Sequence, residues 1–217
     1  MRRAAVPFAA LALLAGCMET GAGAGTGGFA FSRAAPQRIA VSDATVVVVG
    51  PPGYCIDRRA SSDRAEGAFV LLANCAALGG GTGAVPPVPA ILTATVAKEA
   101  APARPAARAA LLRRYFASEA GRAALARDGR AASVTILETR NGDGLFLLHA
   151  RDTSAGRDAG LRDDYWRAIF EVNGRVVTAS VLPFEARPIS DATALALLQG
   201  LAGRTRAASA AADGQDA

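Results

Sequence analysis

The stretch Trp166-Arg167-Ala168-Ile169-Phe170-Glu171-Val172-Asn173-Gly174-Arg175-Val176-Val177 decides the fold. Asn-Gly between β-branched and aromatic residues is a strong hairpin signal, because both central residues of a type I′ turn need positive φ. A two-residue turn sets Val172 opposite Arg175. One face of the ribbon then carries Trp166, Ala168, Phe170, Val177, Ala179 and Val181, while the other still offers Ile169, Val176 and Leu182. Successive side chains point to opposite faces of a strand, so a ribbon apolar on both sides requires a covering layer on each.

Working outward, Ser133 to Thr139 alternates, Asn141-Gly142 is expected to turn, and Leu145 to Ala150 returns, extending the ribbon to a four-strand meander. Ser190 is placed to cap a helix running to about Arg206, with Leu195, Leu198, Leu201 and Ala202 as its buried stripe. Upstream, Thr45 to Val49 is a four-valine strand stopped by Gly50-Pro51-Pro52-Gly53, and Ala68–Ala73 and Ile91–Val96 read as further strands. Pro102 and Pro105 open a helical stretch with the i,i+4 pairs Leu111/Tyr115 and Leu112/Phe116. Ser118 caps a second segment expected to end at Asp128-Gly129. The expected class is α+β: a mostly antiparallel sheet of about seven strands with helices packed on both faces. This order, with the hairpin quoted above and the helix after Pro188-Ile189-Ser190, resembles the PsbP-like α/β/α sandwich over residues 41–206. The resemblance implies a binding or assembly module without catalysis and transfers no site residue.

Before that domain the chain reads differently. Met1-Arg2-Arg3 is a short basic start, and Ala4 to Leu14 is an apolar run broken by Pro7, too short to span a bilayer. It ends in Leu14-Ala15-Gly16-Cys17, which resembles the lipobox of bacterial lipoproteins. The resemblance implies acylation of Cys17 on sulfur, cleavage after Gly16, and then usually acylation of the new amino group. Small residues admit the peptidase, and the thiol takes the lipid. Residues 1–16 are then a lipoprotein signal peptide and 17–40 a lipidated N-terminus and tether, rich in Gly, Ala and Thr from Glu19 to Gly28. Two or three acyl chains anchor stably, so the membrane is the first partner expected, with the domain facing periplasm or exterior from the inner or outer membrane. Met18, not aspartate, follows Cys17; by resemblance to enterobacterial sorting, this permits export to the outer membrane. Residues 207–217 are small and polar and are expected to fray.

Composition bounds the function. Of 217 residues, 51% are hydrophobic, enough for a core at this length. Removal of the signal takes two arginines and no acid, leaving 201 residues with 22 basic and 19 acidic groups, a net charge of +3. All basic residues but Lys98 are arginines, interleaved with acids, and an exported, near-balanced domain is not expected to bind nucleic acid. The glycines at 23, 25 and 28 satisfy a dinucleotide-loop spacing, but no strand precedes them. Gly79-Gly80-Gly81-Thr82-Gly83 runs into Pro86, Pro87 and Pro89 where a phosphate-binding helix would have to begin, so it reads as a loop.

With Cys17 lipidated, Cys55 and Cys75 form an even pair in an exported chain, for which a disulfide is the natural reading. His149 is the only histidine, so a site with two imidazole ligands is excluded, and any histidine base must be this residue. It shares a strand face with Leu145 and Leu147, an environment typical of a structural histidine. Asp152, Asp158, Asp163 and Asp164 crowd one loop without EF-hand spacing, and Arg151, Arg157 and Arg162 offset them. No cofactor or metal is expected. The functional expectation is a membrane-anchored, non-catalytic module that binds an envelope protein or a ligand. The alternative is an envelope hydrolase with His149 as general base.

Overall fold

The computed structural model describes residues 34–101, 105–154 and 160–214, within the unit Arg33–Ala217. Strands β1 (Arg38–Val41) and β2 (Val46–Val49) pair as a separate antiparallel ladder. The main sheet holds β3 (Tyr54–Arg64), β4 (Gly67–Asn74), β5 (Ala90–Ala100), β6 (Val134–Gly142), β7 (Leu145–Asp152), β8 (Asp164–Val172) and β9 (Arg175–Pro183). Its spatial order is β3-β4-β5-β9-β8-β7-β6, antiparallel throughout. Helices α1 (Cys75–Leu78), α2 (Pro105–Ala117), α3 (Glu119–Leu125) and α4 (Asp191–Asp213) complete the described fold, with one 3₁₀ turn at Ala131–Ser133. The class is the expected α+β, with helices on both faces.

The deciding hairpin forms as its sequence dictates. Val172 pairs with Arg175, and Asn173 and Gly174 both take positive φ, 46° and 72°. Its inward face, including Trp166, Phe170, Val177 and Val181, joins the larger apolar cluster with Leu198 and Leu201 of α4 and Val46 and Val48 of β2. Its outward face contributes Tyr165 and Ile169 to a second cluster, completed by Phe146 and Leu148 of β7, Phe116 of α2 and Leu125 of α3.

Three expectations need correction. The valine run does not enter the main sheet; it pairs with β1, and β3 supplies the seventh strand instead. The polar sequence of β3 hid it, with Asp57-Arg58-Arg59 around a bulge where Asp57 Oδ1 accepts the Arg59 and Ala60 amides at 2.9 and 3.1 Å. Charges and a bulge suit an edge strand, which must discourage pairing with other chains. The first meander turn lies at Asp143-Gly144 (φ 52° and 70°), leaving Asn141 and Gly142 paired inside β6. Both dipeptides in Asn141-Gly142-Asp143-Gly144 suit a type I′ turn, and a slip of two residues keeps every side chain on its face.

The ordered domain is also wider than residues 41–206. It begins at β1, inside the expected tether, and α4 continues through residues 207–213 of the expected tail. The alanines there favour helix, and Ser209 is fully buried. Its Oγ accepts the Val47 amide at 2.9 Å while donating to the Thr205 carbonyl at 2.8 Å, and Thr205 Oγ1 accepts the Val49 amide at 3.4 Å. Two hydroxyls one helical turn apart therefore satisfy the edge amides of β2. Of the i,i+4 pairs on α2, Phe116 is buried, whereas Leu111 and Tyr115 are exposed. Among the described residues no helix is long and apolar enough to cross a membrane.

Candidate functional site

Cys55 and Cys75 form a disulfide, with Cα atoms 4.8 Å apart and 20 positions between them in sequence. The bond ties β3 to α1, whose first turn is capped by Asn74 Oδ1 accepting the Ala76 amide at 2.9 Å. Both sulfurs are consumed, and both residues are buried. Cys17 and the signal and tether glycines lie outside the described residues.

His149 on β7 sits opposite Trp166 on β8, and the two rings stack with centroids 4.6 Å apart and planes 13° from parallel. Its Nε2 lies 3.5 Å from Asp164 Oδ2, while the other oxygen of Asp164 accepts Nε of Arg162 at 2.9 Å. Trp166 Nε1 donates to Asp191 Oδ1 at 2.9 Å, in the first turn of α4, and the Arg140 guanidinium lies 5.1 Å from the indole centroid. The β6 bulge between Ile136 and Glu138 places Glu138 opposite His149, where Glu138 hydrogen-bonds Arg140. That hydrogen bond lowers the Glu138 carboxyl below its ordinary range. The sequence placed His149 on the right face but did not reveal its partners, because bulge and register bring them together.

Chemically this is a histidine held between an indole and a carboxylate. A base of the triad type must hydrogen-bond the nucleophile it activates. Among the described residues no hydroxyl or thiol hydrogen-bonds His149. The arrangement secures Trp166 against the core and the start of α4. The acidic loop is likewise occupied. Asp152 is buried, and its carboxylate accepts the amides of Arg127 and Ser154 at 3.0 and 2.9 Å. Asp163 and Asp164 line a cavity of about 250 Å³ shared with Arg151 and Arg162, while Asp158 lies outside the described residues. Among the described residues no three His, Cys, Asp or Glu side chains group to hold a metal.

No family model matches the chain, and comparison with curated proteins finds no match.

Among the described residues, the second helical layer stops part-way across the sheet. Its cluster reaches Val176 of β9 but no residue of β3, β4 or β5. On that remaining half-face the register aligns Ser180, Thr93 and Leu71 in one row and Thr178, Thr95 and Phe69 in the next. Arg167 stands at the boundary, opposite Ser180, and donates from Nε to Ser180 Oγ at 3.0 Å. The two-residue turn at Asn173-Gly174 already implied the Arg167–Ser180 pairing. That the described helices would not cover the adjoining strands was not legible.

Proposed function

We propose that this chain is a cell-envelope lipoprotein, held to a membrane by lipid on Cys17, whose α+β domain binds a protein partner or ligand without chemistry of its own. The observation that carries the reading is Leu14-Ala15-Gly16-Cys17 after a basic start and a short apolar run, followed by a Gly-rich tether. The Cys55–Cys75 disulfide supports export, since such bonds persist in oxidising compartments. A seven-stranded antiparallel sheet with helices on both faces is compatible with the PsbP-like resemblance and its binding role. The tether lets the domain stand off the bilayer while remaining at its surface. The test is Cys17→Ser, followed by fractionation and mass spectrometry of the N-terminus. The wild type is expected in the membrane fraction, cleaved after Gly16 and acylated, with the variant released. An unmodified Cys17, or a variant still held through an uncleaved N-terminus, refutes the proposal.

A further inference from the structure

We infer that the half-face left open beside α2 and α3 is a binding site for an amphiphile with one carboxylate, its head on Arg167 and its apolar chain along β9, β5 and β4. This deepens the binding-module reading, yet it concerns the folded domain and does not depend on Cys17.

Arg167 is partly buried, and desolvation lowers its pKa from the ordinary guanidinium value, so its charge is held where water is scarce. A charge so placed ordinarily carries a partner. Among the described residues, Arg167 has a neutral hydroxyl on Ser180 and the Tyr165 ring, 5.3 Å from the guanidinium carbon, but no carboxylate within ion-pair distance. Asp152 is close enough to act on it through space, but its oxygens are committed to the Arg127 and Ser154 amides. The Tyr165 hydroxyl beside it is buried without a hydrogen-bond partner among the described residues. Among the described residues no carboxylate thus contacts the guanidinium, which presents a planar fork matched to one.

The neighbouring surface supplies the rest of the ligand's shape. From Arg167 the row runs through Ser180 and Thr93 to Leu71, with Phe69, Ile91 and Leu182 half-buried on the same open face. Hollows flank it, one of about 540 Å³ by Phe69, Thr95 and Thr178, another of about 490 Å³ by Ile91, Pro86 and Phe184. Arg64, Glu66 and Arg187 also line the two hollows, but in the row from Arg167 to Leu71 the arginine is the one charged side chain among the described residues, and a single cation beside an apolar strip fits a single negative head on an alkyl chain. A strongly polar anion would leave Phe69 and Leu71 without a role.

The probe is dodecanoate, titrated calorimetrically into the full chain carrying Cys17→Ser, with dodecan-1-ol as its uncharged twin. Dodecanoate is expected to bind one per chain, and the alcohol about ten- to a hundredfold more weakly, the value of one charge-assisted hydrogen-bonded contact. Arg167→Gln should weaken dodecanoate by a similar factor and leave the alcohol unchanged, and Leu71→Glu should weaken both. Absent binding, equal affinity for acid and alcohol, or unaltered dodecanoate affinity in Arg167→Gln overturns the inference. Should Arg167→Gln fail to fold, the acid–alcohol comparison on unaltered Arg167 decides alone. Fractionation of Cys17→Ser is read separately, so failure of one does not mimic failure of the other.

Discussion

Replacing Ser209 with alanine removes a single oxygen from the end of α4, and its consequence can be worked through. That Oγ is the acceptor for the Val47 amide in a strand buried between β1 and the helix. Without it the amide stays buried with no partner, costing about 1–3 kcal/mol. Alanine is the better helix former and returns about 0.5 kcal/mol. The net loss is therefore about 0.5–2.5 kcal/mol, or a fall of roughly 1–10 °C in Tm for a domain of this size. Thermal unfolding followed by far-UV circular dichroism measures it, with the exposed Ala210→Ser as a control expected to change little. Hydrogen exchange gives an independent reading, because the Val47 amide should lose protection selectively in Ser209→Ala. Ending the chain at Arg206 should cost at least as much, although the composition of residues 207–217 alone suggests a dispensable tail. A variant that melts at or above the wild type, with Val47 still protected, would refute the docking of this helix end on β2.

Three further outcomes follow from the structure. Denatured but unreduced protein should show no free thiol from Cys55 or Cys75, and Cys75→Ser should lose about 3 kcal/mol by loop-closure arithmetic, read from urea unfolding; two titratable thiols would contradict the bridge. Burial pushes the Tyr54 phenol up to about 12, against an opposing backbone hydrogen bond. Because the folded value is raised, the stability it contributes is complete below the unfolded value near 10 and is lost as pH rises from there towards 12. Tyrosinate absorbance should show a late step coincident with unfolding, and ionisation of Tyr54 near pH 10 in a folded domain would count against this. His149→Ala uncovers one face of Trp166, the chain's single tryptophan, so its emission should shift to longer wavelength while the fold persists. Unchanged emission would show that the stacked pair does not exist in solution, and loss of a measurable hydrolase activity would instead revive His149 as a base.

Sequence alone determined whatever depends on neighbours along the chain. Asn173-Gly174 set the β8–β9 register and both of its faces, because a two-residue turn leaves no freedom in pairing. Ser118 and Ser190 marked their helix starts because each hydroxyl accepts an amide three residues on, from Gly121 and Thr193. Tertiary structure decided what depends on distant partners. Four valines will pair with any strand that fits, and only the packing of α4 gave them β1 and a helix edge in place of the main sheet. Asn141-Gly142 and Asp143-Gly144 are equal as turns, and pairing across the whole β6–β7 ribbon chose between them. The Arg167 boundary belongs to this second class. Its place opposite Ser180 follows from a local turn, but that no carboxylate among the described residues reaches ion-pair distance of it follows from packing between elements far apart in the chain.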